Sequence, residues 1–168
     1  MASFYPKLTP EQMKLIEASS LFFVASADPR LANGPAGEGP VNVSPRGGVA
    51  LHIISPERVA FLDLTGSGNE TARHTALGGP ITVMVCSFEE ADAAIVRLYG
   101  YARSVPIEHS AIAPQLEAEA RSLMSKPRQV IEVDVERTMT SCGYGVPVMR
   151  VVRERERADR GRGYKGTF

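Results

Sequence analysis

The sequence has few of the residues that mark a metal site, a disulfide framework or a membrane span. Its 168 residues include two cysteines, three histidines and no tryptophan. Cys86 and Cys142 are not at metal-ligand spacing, and no apolar run approaches the roughly 20 residues that a membrane-spanning helix needs. We therefore expect no metal, no disulfide and no membrane segment. The N-terminus also lacks the basic-then-apolar order of a signal peptide, which indicates the cytoplasm.

The sequence also lacks an excess of charge of either sign. Its 19 basic and 19 acidic side chains balance, so nothing global suggests a nucleic-acid partner or an anionic membrane surface. The local exception is the basic segment 151–168, in which 6 of the side chains are basic and 3 are acidic. We predict one domain over 1–150 and a C-terminal tail over 151–168. The tail is either solvated or a cationic arm that reaches over a partner subunit or a ligand.

Hydrophobic patterning predicts a mainly β (α+β) fold. Thr9 as N-cap, Pro10 at the first helical position and Gln12 completing a capping box predict an N-terminal helix. Two more helices are predicted over 69–79 and toward 114–124. Strand-like segments cover 20–27, 41–48, 49–55, 58–64, 80–88, 95–105 and 129–137. Because these strands are short and do not alternate with helices, we predict a closed or nearly closed antiparallel barrel with a few flanking helices.

The glycine-rich stretch "DLTGSGNET", residues 63–71, joins a predicted strand to a predicted helix. Backbone N–H groups at such a junction can converge on an anion. The spacing Gly66-Ser67-Gly68 is too short for the dinucleotide fingerprint, and no Gly-Lys-Ser/Thr follows. From these residues alone, a phosphate cradle and a simple bend both remain open.

No set of side chains is arranged for catalysis without a cofactor. His52, His74 and His109 are scattered, and no nucleophile-elbow sequence is present. We expect His52 to be a barrel residue with its own hydrogen-bond partner, and His74 to lie near an anion bound at the glycine-rich turn. The absence of an acid–base or nucleophilic set favours a cofactor that supplies the reactive group.

One strand carries a row of arginine and tyrosine side chains. By alternation, Arg97, Tyr99, Tyr101 and Arg103 face the same side of "RLYGYARSV", with Gly100 between the two tyrosines. Such a row suits a planar anionic ligand, and it equally suits a solvent-facing surface.

In chain order, "VNVSPRGG", "FLDLTGSGNETARH", "ITVMVCSF", "RLYGYA" and "SCGYGVPV" together resemble the pyridoxamine 5′-phosphate oxidase-like family of FMN-binding split barrels. The resemblance runs from about Leu21 to Val148. It implies a six-stranded antiparallel split β-barrel that forms a homodimer with FMN at the subunit interface.

The resemblance also implies the cofactor-binding residues. The turn and the helix start would bind the flavin phosphate through Ser67, Gly68, Asn69 and Thr71. Arg73 would be the charge partner of the phosphate. The strand end beside the isoalloxazine ring and ribityl chain would be Val43, Ser44, Pro45 and Arg46. Arg97 would contact the phosphate or the ring. Tyr144 and Val146, in the segment 143–146, would cover the ring from the same or the partner subunit.

The function that the resemblance implies is an FMN-dependent oxidoreductase acting on an unidentified small substrate. The chain ends in "GRGYKGTF" and lacks the Arg-Leu-x-Pro signature of the pyridoxamine phosphate oxidases proper, so vitamin B6 oxidation is not expected. No residue is predicted as a general acid or base. Two alternatives stay open: a reductase of the same fold that uses the deazaflavin F420, and a non-catalytic flavin or haem carrier or sensor.

Overall fold

A computed structural model describes residues 2–66, 68–123, 125–156 and 159. Eight strands and three α-helices lie within them, and a short 3₁₀ turn lies at Ile107–His109. The strands are β1 (Ser3–Tyr5), β2 (Leu21–Ala27), β3 (Val41–Gly47), β4 (His52–Ser55), β5 (Arg58–Leu64), β6 (Pro80–Cys86), β7 (Ala94–Val105) and β8 (Pro127–Cys142). The helices are α1 (Pro10–Ala18), α2 (Glu70–Ala76) and α3 (Ala113–Ser122).

The strands form one antiparallel sheet in the order β3-β2-β6-β7-β8-β5-β4, and β1 pairs with β8 outside that path. The sheet curls around an apolar core whose fully buried side chains include Phe22, Val24, Phe61, Val83, Leu98 and Ile131. The predicted split-barrel fold is confirmed, with eight strands in place of six. Six is the number that the family resemblance implies, whereas hydrophobic patterning predicts seven strand segments, each of which overlaps one observed strand. The strand without a predicted segment is β1, whose 3 residues are too few for alternation to be read.

Helix α1 begins as predicted, with both halves of the capping box formed. The Thr9 N–H donates to Gln12 Oε1 at 3.0 Å, and the Gln12 N–H donates to Thr9 Oγ1 at 3.3 Å. The buried Gln12 amide then donates to Thr140 Oγ1 at 2.9 Å and accepts from Thr138 Oγ1 at 2.9 Å. One polar side chain therefore both starts the helix and fixes it to β8.

Two strand boundaries differ from the prediction by three residues or more. Val49 and Leu51 are buried as their apolar character suggests, yet β4 begins only at His52. Gly48 has φ +71° and turns the chain, and the Ala50 N–H donates to a side-chain oxygen of Glu119 at 2.6 Å instead of to a strand. Strand β8 runs to Cys142, five residues beyond the predicted end at 137, so the segment 143–146 follows it directly.

Strand β3 lies at one edge of the sheet and presents two different faces. Val41 and Val43 are exposed, whereas Asn42, Ser44 and Arg46 are half-buried toward the barrel interior. The predicted division of Val41 and Val43 from Asn42 and Ser44 is confirmed. The edge strand thus has an outward apolar face and an inward polar face. Among the described residues, no helix is long and apolar enough to cross a membrane.

Candidate functional site

The inward polar face of β3 meets the first turn of α2. Asn42 Nδ2 lies 3.0 Å from Ser44 Oγ and 3.5 Å from Thr71 Oγ1. Thr71 is buried, and Asn42 and Ser44 are half-buried. Three of the side chains that alternation and the glycine-rich turn bring together therefore form one polar cluster.

Arg46 lies on the same face of β3, two residues after Ser44, and contacts β5. Its Nη1 lies 3.4 Å from Asp63 Oδ1, and its guanidinium lies 5.7 Å from the centroid of the Phe61 ring. Asp63 is 2% exposed, and its second oxygen accepts from Gln129 Nε2 at 3.1 Å and lies 3.4 Å from Arg128 Nε. Strands β3 and β5 are not neighbours in the sheet and lie toward opposite ends of the strand order. The Arg46–Asp63 ion pair therefore joins the two ends of the curled sheet.

The glycine-rich turn is fixed by β8. Arg128 Nη2 donates to the carbonyl oxygens of Leu64 at 3.0 Å and Gly68 at 2.7 Å. The Thr65 N–H donates to the carbonyl oxygen of Lys126 at 2.9 Å. Asn69 is the N-cap of α2 but makes no side-chain cap hydrogen bond. Ser67, the other predicted phosphate contact in this turn, lies outside the described residues.

Two guanidinium nitrogens, Arg46 Nε on β3 and Arg73 Nη2 on α2, are buried without a hydrogen-bond partner among the described residues. Arg73 Nη1 lies 3.5 Å from Glu38 Oε1 in the loop before β3. Buried polar groups are rarely left unpaired, and a guanidinium binds a phosphate or a carboxylate most strongly. The cluster therefore offers donors that suit an anion.

Two cavities border the cluster. One of about 520 Å³ lies against α2 and is lined by Arg73, Asn69, Glu38 and Gln129, among others. Another of about 640 Å³ lies at the end of β3. Its apolar and glycine lining includes Leu21, Pro45, Gly47, Gly48 and Leu64. Val151 and Arg153 of the C-terminal segment also line it. Both volumes are in the range of organic-ligand pockets.

The predicted arginine–tyrosine row lies on the outer face of the sheet. Arg97 Nη1 donates to Ser141 Oγ at 3.2 Å, Tyr99 lies under the guanidinium of Arg137 at 5.3 Å, and Arg103 Nη2 donates to Glu132 Oε2 at 2.6 Å. Among the described residues no hydrogen bond joins this row to the inner cluster. Within one chain, the row therefore contacts side chains of β8. The role of Arg97 in cofactor binding stays a prediction.

The segment after β8 lies beside the loop between β6 and β7. The Gly143 N–H donates to the Ala93 carbonyl and the Val146 N–H to the Gly143 carbonyl, while Tyr144 is 90% exposed. Among the described residues no hydrogen bond links Tyr144 or Val146 to Arg46 or Arg73. Their predicted role over the ring stays a prediction and is compatible with a site on a second subunit.

His52 and His74 lie in different surroundings. His52 Nε2 lies 2.8 Å from Glu119 Oε2, so its predicted structural role is confirmed. His74 is fully buried and its Nδ1 lies 2.9 Å from Ser26 Oγ of β2. It therefore faces the barrel interior. Its Nε2 is buried without a hydrogen-bond partner among the described residues, and the expectation that His74 lies near an anion bound at the turn stays a prediction. Arg73, one position earlier on α2, is only partly buried.

Several site residues were missed by sequence reasoning. Asn42 could have been found, because the period of two places it on the same face as Ser44. Asp63 and Gln129 meet only because β5 and β8 pair in register, and Arg128 joins them from the same strand. Glu38 belongs to a loop with no periodic pattern. Asp63, Gln129, Arg128 and Glu38 reach the site through contacts between residues far apart in the sequence. A local sequence pattern does not predict such contacts.

A comparison with protein-family models found no match. Among curated proteins, the chain is 33% identical over 151 residues to the pyridoxamine 5′-phosphate oxidase family protein ustO of Aspergillus flavus. The match covers 89% of this chain and 57% of that protein. The chain thus spans little more than half the length of this curated relative.

Solved structures share the fold at low identity. HupZ of Group A Streptococcus superposes with a TM-score of 0.58 at 21% identity, over 78% of this chain and 91% of that one. An FMN-binding protein of Syntrophomonas wolfei has a TM-score of 0.54 at 9% identity, over 82% and 90%. A pyridoxinephosphate oxidase family protein of Clostridium acetobutylicum has a TM-score of 0.53 at 12% identity, over 79% and 86%.

Proposed function

The chain belongs to the pyridoxamine 5′-phosphate oxidase-like family, and we propose that it holds FMN between β3 and the turn before α2. The observation that carries this proposal is the pair of buried, unpartnered guanidinium nitrogens on Arg46 and Arg73. FMN, with a phosphate dianion at one end and carbonyl and hydroxyl oxygens along its length, would supply acceptors that these donors lack. The fold is also that of an FMN-binding protein of S. wolfei.

The donor set fits the different parts of FMN. Arg73 would meet the phosphate, which carries the charge. Asn42, Ser44 and Thr71 carry neutral hydroxyl and amide groups, which suit the ribityl hydroxyls and the phosphate oxygens. The apolar outer face of β3, with Val43 and Pro45, suits the planar ring. When bound, FMN supplies hydride and electron transfer, and the protein supplies orientation and the exclusion of water.

We further propose that a second copy of the chain covers the outer face of β3. Val41 and Val43 are 61% and 65% exposed, and Tyr101 on β7 is 48% exposed. The strand register places Pro45, Phe23, Met84 and Arg97 in one row across this face. An exposed apolar edge strand is a surface that proteins normally cover. A homodimer would also bring Arg97 and the 143–146 segment toward a partner's flavin.

Val43→Lys is expected to raise the dissociation constant of the dimer at least about tenfold, because a lysine in a covered apolar face must be desolvated. Sedimentation equilibrium of the wild-type protein and the variant measures this directly. Leu31→Lys, at a loop residue that is 70% exposed, is the control and is expected to have no effect. A monomeric wild-type protein, or a Val43→Lys dimer of unchanged affinity, would contradict the proposed interface.

The oxidoreductase activity is the second part of the proposal. Anaerobic mixing of the FMN-loaded protein with reduced nicotinamides, followed by oxygen or another acceptor, is expected to give cycles of loss and return of the oxidised flavin absorbance. The acceptor would be a small molecule admitted through the cavity at the end of β3. If no donor reduces the bound flavin faster than free FMN, a carrier or sensor function replaces the oxidoreductase. A deazaflavin recovered in place of FMN would shift the proposal to an F420-dependent reductase.

A further inference from the structure

The guanidinium proposed to bind the phosphate already faces a carboxylate of its own chain. Glu38 Oε1 lies 3.5 Å from Arg73 Nη1, and the two side chains are 32% and 25% exposed. Both residues line the cavity of about 520 Å³ beside α2. An anion entering that cavity toward Arg73 therefore encounters a negative charge that is already in place.

The loop is folded so that Glu38 turns back toward α2. The Gly34 N–H donates to the Glu38 carbonyl at 2.7 Å, and the Gly37 N–H donates to the Gly34 carbonyl at 3.0 Å. The Ala36 N–H donates to Glu38 Oε2 at 2.9 Å. These bonds hold the carboxylate in a tight turn over residues 34–38, so its position is not that of a side chain moving freely in solvent.

Gly34 makes room for the ion pair. A Cβ at this position would overlap Glu38 Oε2 and would lie 2.5 Å from Arg73 Nη2. Any larger residue would push the two charged groups away from the turn. The loop backbone is therefore packed directly against the Glu38–Arg73 contact.

Glu38 is an anion at neutral pH. Hydrogen bonds from its own N–H and from the Ala36 N–H lower the pKa of the Glu38 carboxyl, and the charge of Arg73 lowers it further. The carboxylate that faces Arg73 is thus a single negative charge, whereas the phosphate monoester of FMN carries close to two at neutral pH.

We propose that Glu38 competes with the ligand phosphate for Arg73, so that a phosphate monoester binds only by displacing it. This inference rests on the proposed FMN site. A dianion can displace a tethered monocarboxylate, while a singly charged or neutral ligand gains less from doing so. Glu38 would therefore lower the affinity for FMN and restrict the site to strongly anionic ligands, because the apparent affinity scales with the fraction of Arg73 that is free to bind.

Titration of the flavin-free protein with FMN and with riboflavin tests the competition. Glu38→Gln keeps an oxygen for the Ala36 N–H but removes the charge. It is expected to tighten FMN binding about fivefold, the upper range for a partly exposed ion pair, and to leave riboflavin binding unchanged. Glu117→Gln, which removes one charge from an exposed position of α3, is the matched control and is expected to change neither.

A second background separates competition for Arg73 from general repulsion. In the Arg73→Ala protein, the gain from Glu38→Gln is expected to fall from about fivefold to about twofold or less, because there is no guanidinium left to release. Repulsion through space would act without Arg73, so a full gain that persists in this background overturns the proposal. Unfolding midpoints of each variant report whether the loop change disturbs the fold.

Unchanged or weaker FMN binding by Glu38→Gln also overturns the proposal, as does an equal gain for riboflavin. If Glu38→Gln does not fold, Glu38→Asp serves in its place. It keeps the charge but draws it back from Arg73, so a smaller gain for FMN is expected and no gain overturns the inference. If neither the wild-type protein nor the variant binds FMN, the FMN site itself is wrong. If both bind it equally, only the role of Glu38 is wrong.

Discussion

Arg73→Ala is expected to weaken FMN binding about 50-fold and to leave riboflavin binding within about twofold. The reason is that Arg73 would make a charge-assisted contact with the phosphate. Truncating one partner of such a contact costs about 2 kcal/mol, the lower end for a buried pair, because the Arg73 side chain is 25% exposed. Riboflavin lacks the phosphate and would not sense the change. Fluorescence titration of the flavin-free protein with each ligand measures both dissociation constants.

The control for this prediction is Arg121→Ala, an exposed arginine in the last turn of α3. It removes the same charge and is expected to leave FMN binding unchanged. Arg73→Lys is expected to recover only part of the affinity, because an ammonium cannot form the bidentate contact of a guanidinium. An unchanged FMN affinity in Arg73→Ala would remove this residue from the site.

Gly100→Ala is expected to lower the free energy of unfolding by about 3 kcal/mol, the upper range for overpacking. A Cβ on Gly100 would overlap the Asp134 carbonyl oxygen and lie 3.0 Å from the Asp134 carbonyl carbon. These are backbone atoms of β8, so relief requires the β7–β8 pairing to move. In a domain of this size the melting temperature would fall by roughly 6–12 °C.

Thermal and urea unfolding of Gly100→Ala measures this loss. Gly145→Ala is the control, because a Cβ there meets no atom within 4 Å, and it is expected to change stability by less than about 0.5 kcal/mol. A Gly100→Ala protein as stable as the wild type would mean that β7 and β8 do not approach as closely as the structure shows. The close packing of β8 thus explains the glycine between the two tyrosines.

The parts of the fold that could be predicted depend on short-range pattern. The Thr9–Gln12 capping box spans four residues and is formed as predicted. The division of Val43 from Ser44 follows from the period of two in a strand. Strand β1 could not be predicted, because three residues show no periodicity and its pairing with β8 joins positions more than 130 apart, such as Ser3 and Thr140.

The candidate site follows the same division. The glycine-rich turn and the strand end were visible as local features, and the family resemblance ordered them. The Asp63–Gln129 contact joins residues 66 apart, and the Arg73–Glu38 contact joins residues 35 apart. Sequence alone gives no distance between such positions. Which of the adjacent side chains Arg73 and His74 is buried in the core depends on the rotation of helix α2, and its seven residues, about two turns, are too few to fix that rotation from sequence.

The site also explains why the strand end contributes residues of opposite character. Ser44 and Arg46 face inward to the polar cluster, whereas Val43 and Pro45 face outward to the surface proposed for a second subunit. A ligand at this edge would therefore meet donors on one side of the strand and apolar surface on the other. This arrangement suits a molecule with a charged end and a planar apolar body.

The measurement that tests the account most directly is the visible absorption spectrum of the freshly purified protein, followed by mass identification of whatever heat releases. The account predicts a flavin spectrum and released FMN in a ratio near one per chain. A colourless protein that fails to take up added FMN or F420 would contradict it, and would mean that this split barrel serves a function without a flavin.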